Sequence, residues 1–160
     1  MKKILNIKEA IKIAKKLRDN NKTIVVAGGF FDILHLGHIK FLEKSKKYGD
    51  YLFVLLEEDS KATKEKGERR PINPQGIRAK ILAGIQSVDY IVKLKNMTNN
   101  DCYDKIMVEM RPNAISTTYG DPHVNHKKRQ AKLIHAKLIY AVKRIKDYST
   151  TKYVNCTNKK

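Results

Sequence analysis

Apolar positions along the chain fall into short β-branched runs separated by stretches with helical spacing. The runs at 23–27, 51–56, 90–94, 114–117 and 137–142 read as strands, the last through alternation of apolar and polar residues. Asn6 and Glu9 form a capping pair ahead of Ile7, Ala10, Ile11, Ala14 and Leu17, which keep helical spacing up to Arg18. The residues before them, including Ile4 and Leu5, are expected to lead straight into this helix. A second helix over 37–47 carries Ile39, Phe41 and Leu42. A third opens at Asn73-Pro74, with Asn as cap and Pro at the first position, and puts Ile77, Ile81, Leu82 and Ile85 on one face. Asp101 is the expected cap of a helix bearing Ile106, Met107 and Met110, which Pro112 stops, and 127–134 reads as one more helix. Residues 57–73 are mostly polar, acidic first and then basic, and read as one long loop, which in a compact domain is usually functional. This alternation predicts an α/β fold, a doubly wound parallel sheet of five strands with ligands at the carboxyl ends of the strands. Residues 1–160 are expected to form a single domain, with 1–20 a helical extension and 153–160 a polar tail.

Charge changes the picture more than length does. The net charge is +18 over 160 residues, which calls for polyanionic ligands such as nucleotides and sugar phosphates. It is uneven: 122–160 holds 11 Lys or Arg against the single acid Asp147. Cys102 and Cys156 lie far apart with no CxxC or Cys/His spacing, so free thiols in a reducing cytoplasm are expected rather than a zinc site. No apolar run approaches the roughly 20 residues that a membrane span needs, and no signal-peptide core is present.

The densest chemical signal is Gly28-Gly29-Phe30-Phe31-Asp32-Ile33-Leu34-His35-Leu36-Gly37-His38, where the first predicted strand runs out and a helix begins. A helix start offers unpaired N–H groups and a positive dipole end, and two imidazoles three residues apart there donate to the same phosphate chain. Glycines let the backbone come close to a ligand without a Cβ in the way.

This segment resembles the HxGH motif of the nucleotidyltransferase superfamily that includes the glycerol-3-phosphate cytidylyltransferases. It is most similar to the adenylyltransferase domain of ADP-heptose synthase. Gly49-Asp50-Tyr51-Leu52-Phe53-Val54 resembles the family's "GD.L.V" strand. Lys66-Gly67-Glu68-Arg69-Arg70-Pro71-Ile72-Asn73-Pro74, then Arg78 and Val88-Asp89, resembles the "KG..RP.NP…R…VD" pattern of the heptose enzymes. The resemblance implies a Rossmann-like nucleotidyltransferase fold and a chain that joins a nucleotide to a phosphorylated small molecule with release of pyrophosphate. It implies catalytic roles for His35, His38 and Lys66. Nucleotide contacts are implied from Gly29, Phe30, Phe31, Gly37, Arg78 and Asp121 of the Tyr119-Gly120-Asp121 turn, and from the late triplet Ser149, Thr150 and Thr151. A second triplet, Ser116-Thr117-Thr118, ends a predicted strand and is read as a decoy. Mg²⁺ is expected to travel with the triphosphate, no protein-held metal is expected, and a homodimer is the expected assembly.

The "RPINP" block favours ATP with a heptose-1-phosphate-like sugar phosphate. CTP with glycerol 3-phosphate or another alcohol phosphate is the alternative within the class, and FMN adenylylation is a third. From a different class, an RNA-binding module is motivated by the charge and by the similarity of HxGH to the "HIGH" element of class I synthetases. The absence of a KMSKS-like loop and of an anticodon domain argues against it, and nucleic acid is not an expected partner. His123 and His126 have metal-ligand spacing, but no Cys or carboxylate completes a site, and an anionic acceptor contact or a plain exposed loop is the reading preferred.

Overall fold

A computed structural model describes residues 2–143 of the chain. Six parallel strands form one sheet in the order β1-β4-β3-β2-β5-β6: β1 (Ile4–Leu5), β2 (Ile24–Gly29), β3 (Tyr51–Leu56), β4 (Tyr90–Lys93), β5 (Ala114–Tyr119) and β6 (Lys137–Lys143). Six helices connect them: α1 (Ile7–Asp19), α2 (Leu36–Lys46), α3 (Asp59–Lys66), α4 (Gln75–Ala83), α5 (Asn100–Met110) and α6 (Val124–Leu133). Side chains alternate across the strands and so feed two cores. Ile24, Val26, Phe53, Leu55 and Val92 face α1, α5 and α6, whereas Val25, Ala27, Leu52, Val54 and Ile91 face α2 and α4. The doubly wound prediction holds, with one strand more than the five expected.

The extra strand is β1, which pairs in register Ile4↔Ile91 and Leu5↔Val92 at the sheet edge. Two residues are too few to show a period, and a leading basic residue masks them further. The second correction is α3, inside the segment read as loop. Its sequence, Asp-Ser-Lys-Ala-Thr-Lys-Glu-Lys, buries only Ala62, so no apolar stripe announces it. Two caps also differ. Asn99, not Asp101, starts α5 by accepting from Cys102 N at 3.1 Å. At α4 the Gln75 N–H is taken at 2.9 Å by the Asp59 carboxylate, sixteen residues upstream, and not by Asn73. Asn6 and Glu9 do form the predicted capping box.

At the amino ends of the strands, Asp50 accepts from both the N–H and the hydroxyl of Thr23 at 2.8 Å, tying β2 to β3. The neighbouring Gly49 is required by space: a Cβ there would stand 2.8 Å from Val25 Cγ2 and 3.2 Å from the Thr23 carbonyl oxygen.

At the carboxyl ends a single arginine gathers the loops. Arg78 of α4 is fully buried. Its guanidinium donates to the carbonyls of Phe30, Glu57 (2.9 Å) and Asn73 (2.9 Å) and to the Asp59 carboxylate. Arg78→Met therefore strands three carbonyls at once and takes one partner from the Asp59 carboxylate. Losing a donor costs about 1–3 kcal/mol per group left unsatisfied. Urea denaturation should show the variant about 3 kcal/mol or more less stable, and a change below about 1 kcal/mol would show that the loops hold without it.

Candidate active site

The strand order reverses beside β2: the chain builds β3 and β4 on one side of it, then crosses to β5 and β6 on the other. Such a switch point leaves a crevice above the carboxyl ends of the strands. A cavity of about 470 Å³ occupies it, walled by β2, β3, β5 and β6 and by residues of α3, α5 and α6.

The floor is the turn from β2 into α2. Phe31 adopts φ 47° and is buried, its ring folded back over Gly29 so that a Cβ on Gly29 would lie 2.9 Å from the ring. The space that a glycine leaves here is filled by Phe31, a different use from the approach of a phosphate expected from the sequence. His35 is the residue preceding α2, in extended conformation, and gives that helix no side-chain cap. Its carbonyl accepts from His38 N at 2.9 Å and Ile39 N at 3.2 Å. The N–H groups of Leu36 and Gly37, ahead of those, thus form an uncapped helix start that has Gly37 in the cavity wall.

The two histidines stack, with ring centroids 3.8 Å apart and planes inclined by 23°, and Phe31 closes the far side of His38 at 5.2 Å. Burial lowers the pKa of His35. His38 is pushed down to about 3, first by burial and then by the neighbouring His35, with a backbone contact to Ile33 opposing. Both imidazoles are neutral near pH 7. His38 Nδ1 is buried with no hydrogen-bond partner among the described residues.

Asp32, between the motif's phenylalanines and histidines, was not singled out by sequence and is central to the geometry. It is 2% exposed and its carboxylate accepts from Arg70 Nε (2.8 Å), Ile72 N (2.9 Å) and Asn73 N (2.9 Å). The "RPIN" block is thereby fastened onto the histidine loop. Arg70, whose role the motif alone does not assign, is the partner of Asp32. Only the position of Asp32 inside the motif hinted at this.

Lys66, at the end of α3, is exposed on the cavity wall and makes no hydrogen bond or ion pair among the described residues. Arg78 does not line the cavity; its guanidinium places Phe30 and Glu57 beneath it. On the opposite wall Asp121 accepts from the Thr117 hydroxyl and Lys127 Nζ, each at 2.6 Å, and from His123 N at 2.8 Å. Burial raises the pKa of Asp121, but Lys127 and Thr117 together outweigh that and hold it below the ordinary carboxylate value. Thr117 of the decoy triplet is thus spent within the fold, and Ser116 is buried against Ser45 at 2.6 Å. His123 and His126 line the same cavity, and His123 reaches Glu65 at 3.6 Å. Among the described residues no group of three His, Cys, Asp or Glu side chains is arranged to hold a metal. None of their helices is long and apolar enough to cross a membrane. Ser149, Thr150 and Thr151 lie outside the described residues.

The chain has relatives among known proteins. Over 95 residues the chain is 50% identical to the bifunctional protein HldE of Aliarcobacter butzleri, covering 59% of this chain and 20% of that protein. With HldE of Campylobacter jejuni strain RM1221 it shares 46% over 91 residues, 57% of this chain and 19% of the relative. The chain thus spans about a fifth of the length of these curated relatives. The crystal structure of a lipopolysaccharide core biosynthesis protein from Thermoplasma volcanium aligns with a TM-score of 0.58 and 30% identity, covering 80% of this chain and 99% of that one. Pantoate-beta-alanine ligase from Francisella tularensis aligns with a TM-score of 0.67 over 92% of this chain and 69% of that one, and at 18% identity it shares the fold alone. The cytidylyltransferase-like family matches residues 26–155, from the strand that delivers the histidines to beyond the last described strand. By that match, this chain belongs to the cytidylyltransferase-like family.

Proposed function

We propose that the chain is a nucleotidyltransferase that joins AMP from ATP to a sugar phosphate of the heptose 1-phosphate kind, releasing pyrophosphate. The observation that carries the reading is the stacked, neutral histidine pair at the uncapped start of α2, facing a cavity large enough for a nucleotide. The identity to HldE proteins favours ATP and a heptose phosphate over CTP and glycerol 3-phosphate.

The acceptor's phosphate oxygen attacks the α-phosphorus in line and pyrophosphate leaves from the opposite side. The nucleophile is already an anion, so the protein's task is to align the groups and to neutralise charge as it accumulates. His35 and His38 donate to the α- and β-phosphates, the α2 start adds its amides and dipole, and Lys66 reaches the phosphates from the rim. Mg²⁺ would be carried by the triphosphate oxygens and water. That fits the carboxylates nearest the histidine loop and the opposite wall, Asp32 being engaged by Arg70 and Asp121 by Lys127. Bound to the phosphates, the ion offsets their charge.

His35→Ala or His38→Ala should lower the rate of pyrophosphate release about a hundredfold or more, since one donor aimed at transition-state charge is worth about 3–4 kcal/mol. Near-normal release from both variants would refute the mechanism.

The neutrality of His38 is open to a separate check. The unfolded chain protonates this imidazole near pH 6.5, the folded chain only near 3. Below pH 6.5 the unfolded state therefore binds more protons, and stability falls as pH falls, by up to about 1.4 kcal/mol per pH unit. Denaturation between pH 7 and 5 should show this slope in the parent and a shallower one in His38→Asn. Equal slopes would place the titration elsewhere.

The assignment of the late triplet predicts that Thr150→Val or Thr151→Val weakens nucleotide binding tenfold to a hundredfold, as a lost hydrogen bond to a charged phosphate is worth about 1.5–3 kcal/mol. Thr117→Val should instead lower stability, because its hydroxyl serves Asp121. Calorimetric titration of the three variants with nucleotide decides the matter. A large loss of affinity from Thr117→Val alone would transfer the role to the earlier triplet.

A further inference from the structure

The cavity has a second polar wall that the mechanism above leaves idle. Above the carboxyl end of β3, Glu57, Lys61 of α3 and Tyr103 of α5 close a ring of hydrogen bonds. Tyr103 donates its hydroxyl to Glu57 Oε2 at 2.8 Å, and Lys61 Nζ donates to Glu57 Oε1 at 2.9 Å and to the Tyr103 oxygen at 2.6 Å. The ammonium also lies 4.5 Å from the centre of the tyrosine ring. All three residues line the cavity, and they come from the loop after β3, from α3 and from α5. The arrangement is therefore set before a ligand arrives.

Counting donors and acceptors shows what this wall is able to receive. A carboxylate accepts about four hydrogen bonds, and Glu57 has two filled. The tyrosine proton is committed to Glu57, and burial together with Glu57 keeps the phenol far above its ordinary range, so it stays in place at any working pH. Two of the three lysine protons are committed as well, and Glu65 stands 3.9 Å from the same ammonium. The unfilled positions are mostly acceptors, and two carboxylates against one ammonium leave the wall net negative. Phosphate is repelled here. A ligand group that donates without carrying negative charge fits, and that is an alcohol hydroxyl.

We infer that Glu57 and Tyr103 bind hydroxyls of the acceptor, which is therefore a polyhydroxylated phosphate with its uncharged body over β3 and its phosphate toward His35 and His38. The inference rests on the nucleotidyltransferase reading and adds the residues that select the acceptor. It also divides the cavity by charge: cations and imidazoles take the phosphates, and the Glu57 wall takes the polyol.

The test uses the full chain, with ATP and three acceptors: a heptose 1-phosphate, a hexose 1-phosphate and glycerol 3-phosphate. Glu57→Gln keeps the shape of the side chain and removes the charge, and should raise KM for the sugar phosphate at least tenfold. Tyr103→Phe, which keeps the ring, should raise it at least threefold and serves if Glu57→Gln fails to fold. Nucleotide affinity by calorimetry should stay within twofold of the parent in both. An unchanged acceptor KM, or a loss of nucleotide affinity as large as that for acceptor, would overturn the inference. Turnover of glycerol 3-phosphate alone by the parent would overturn it while leaving nucleotidyl transfer standing. No pyrophosphate release with any acceptor would remove both.

Discussion

A guanidinium sealed from water needs partners for its donors, and Arg78 finds four in segments that otherwise have little reason to meet. Phe30 leads into the histidine loop, Glu57 follows β3, Asp59 opens α3, and Asn73 lies in the loop before α4. Any displacement of one segment leaves a buried charge short of a partner, and that is among the costlier defects that a fold can carry. Asp32 adds a second, smaller knot of the same kind between the first and last of these segments. The site is thus built by polar satisfaction above a sheet built by apolar burial. The two halves obey different rules.

That division explains what the sequence disclosed. The strands β2 to β6 and the helices α1, α2, α4 and α5 carry apolar periods because both faces of a parallel sheet must be covered, and their places could be read to within a few residues. The histidine pair was legible because the motif is local. What escaped notice is non-local. Asp32 contacts residues some forty positions away, and Tyr103 meets Glu57 across forty-six. No spacing rule connects them. The helix α3 was missed for a related reason: it is held by ties such as Thr63 to the Arg70 carbonyl and Lys61 to Glu57, and hardly by burial.

Arg78 shows how a correct motif match still leaves a role open. Its type and position agree with the family pattern, and an arginine in such a motif invites the simplest reading of a phosphate ligand. Full burial turns it into the support under that site. Lys66, two residues from the start of the same block's charged run, does the opposite: it stays exposed on the cavity wall, where a cation that neighbours do not hold is able to follow a ligand.

The uncapped start of α2 bears on how this protein could be made more robust. A serine or aspartate at position 35 would supply the missing cap, a change commonly worth about 1 kcal/mol of stability. It would also replace an imidazole and occupy amides that a bound anion is suited to fill. In this reading the substrate itself caps the helix, so the empty protein rests in a slightly frustrated state that turnover repeatedly relieves. Selection for heat tolerance and selection for catalysis would then pull on residue 35 in opposite directions, and stabilising changes would have to accumulate elsewhere in the chain.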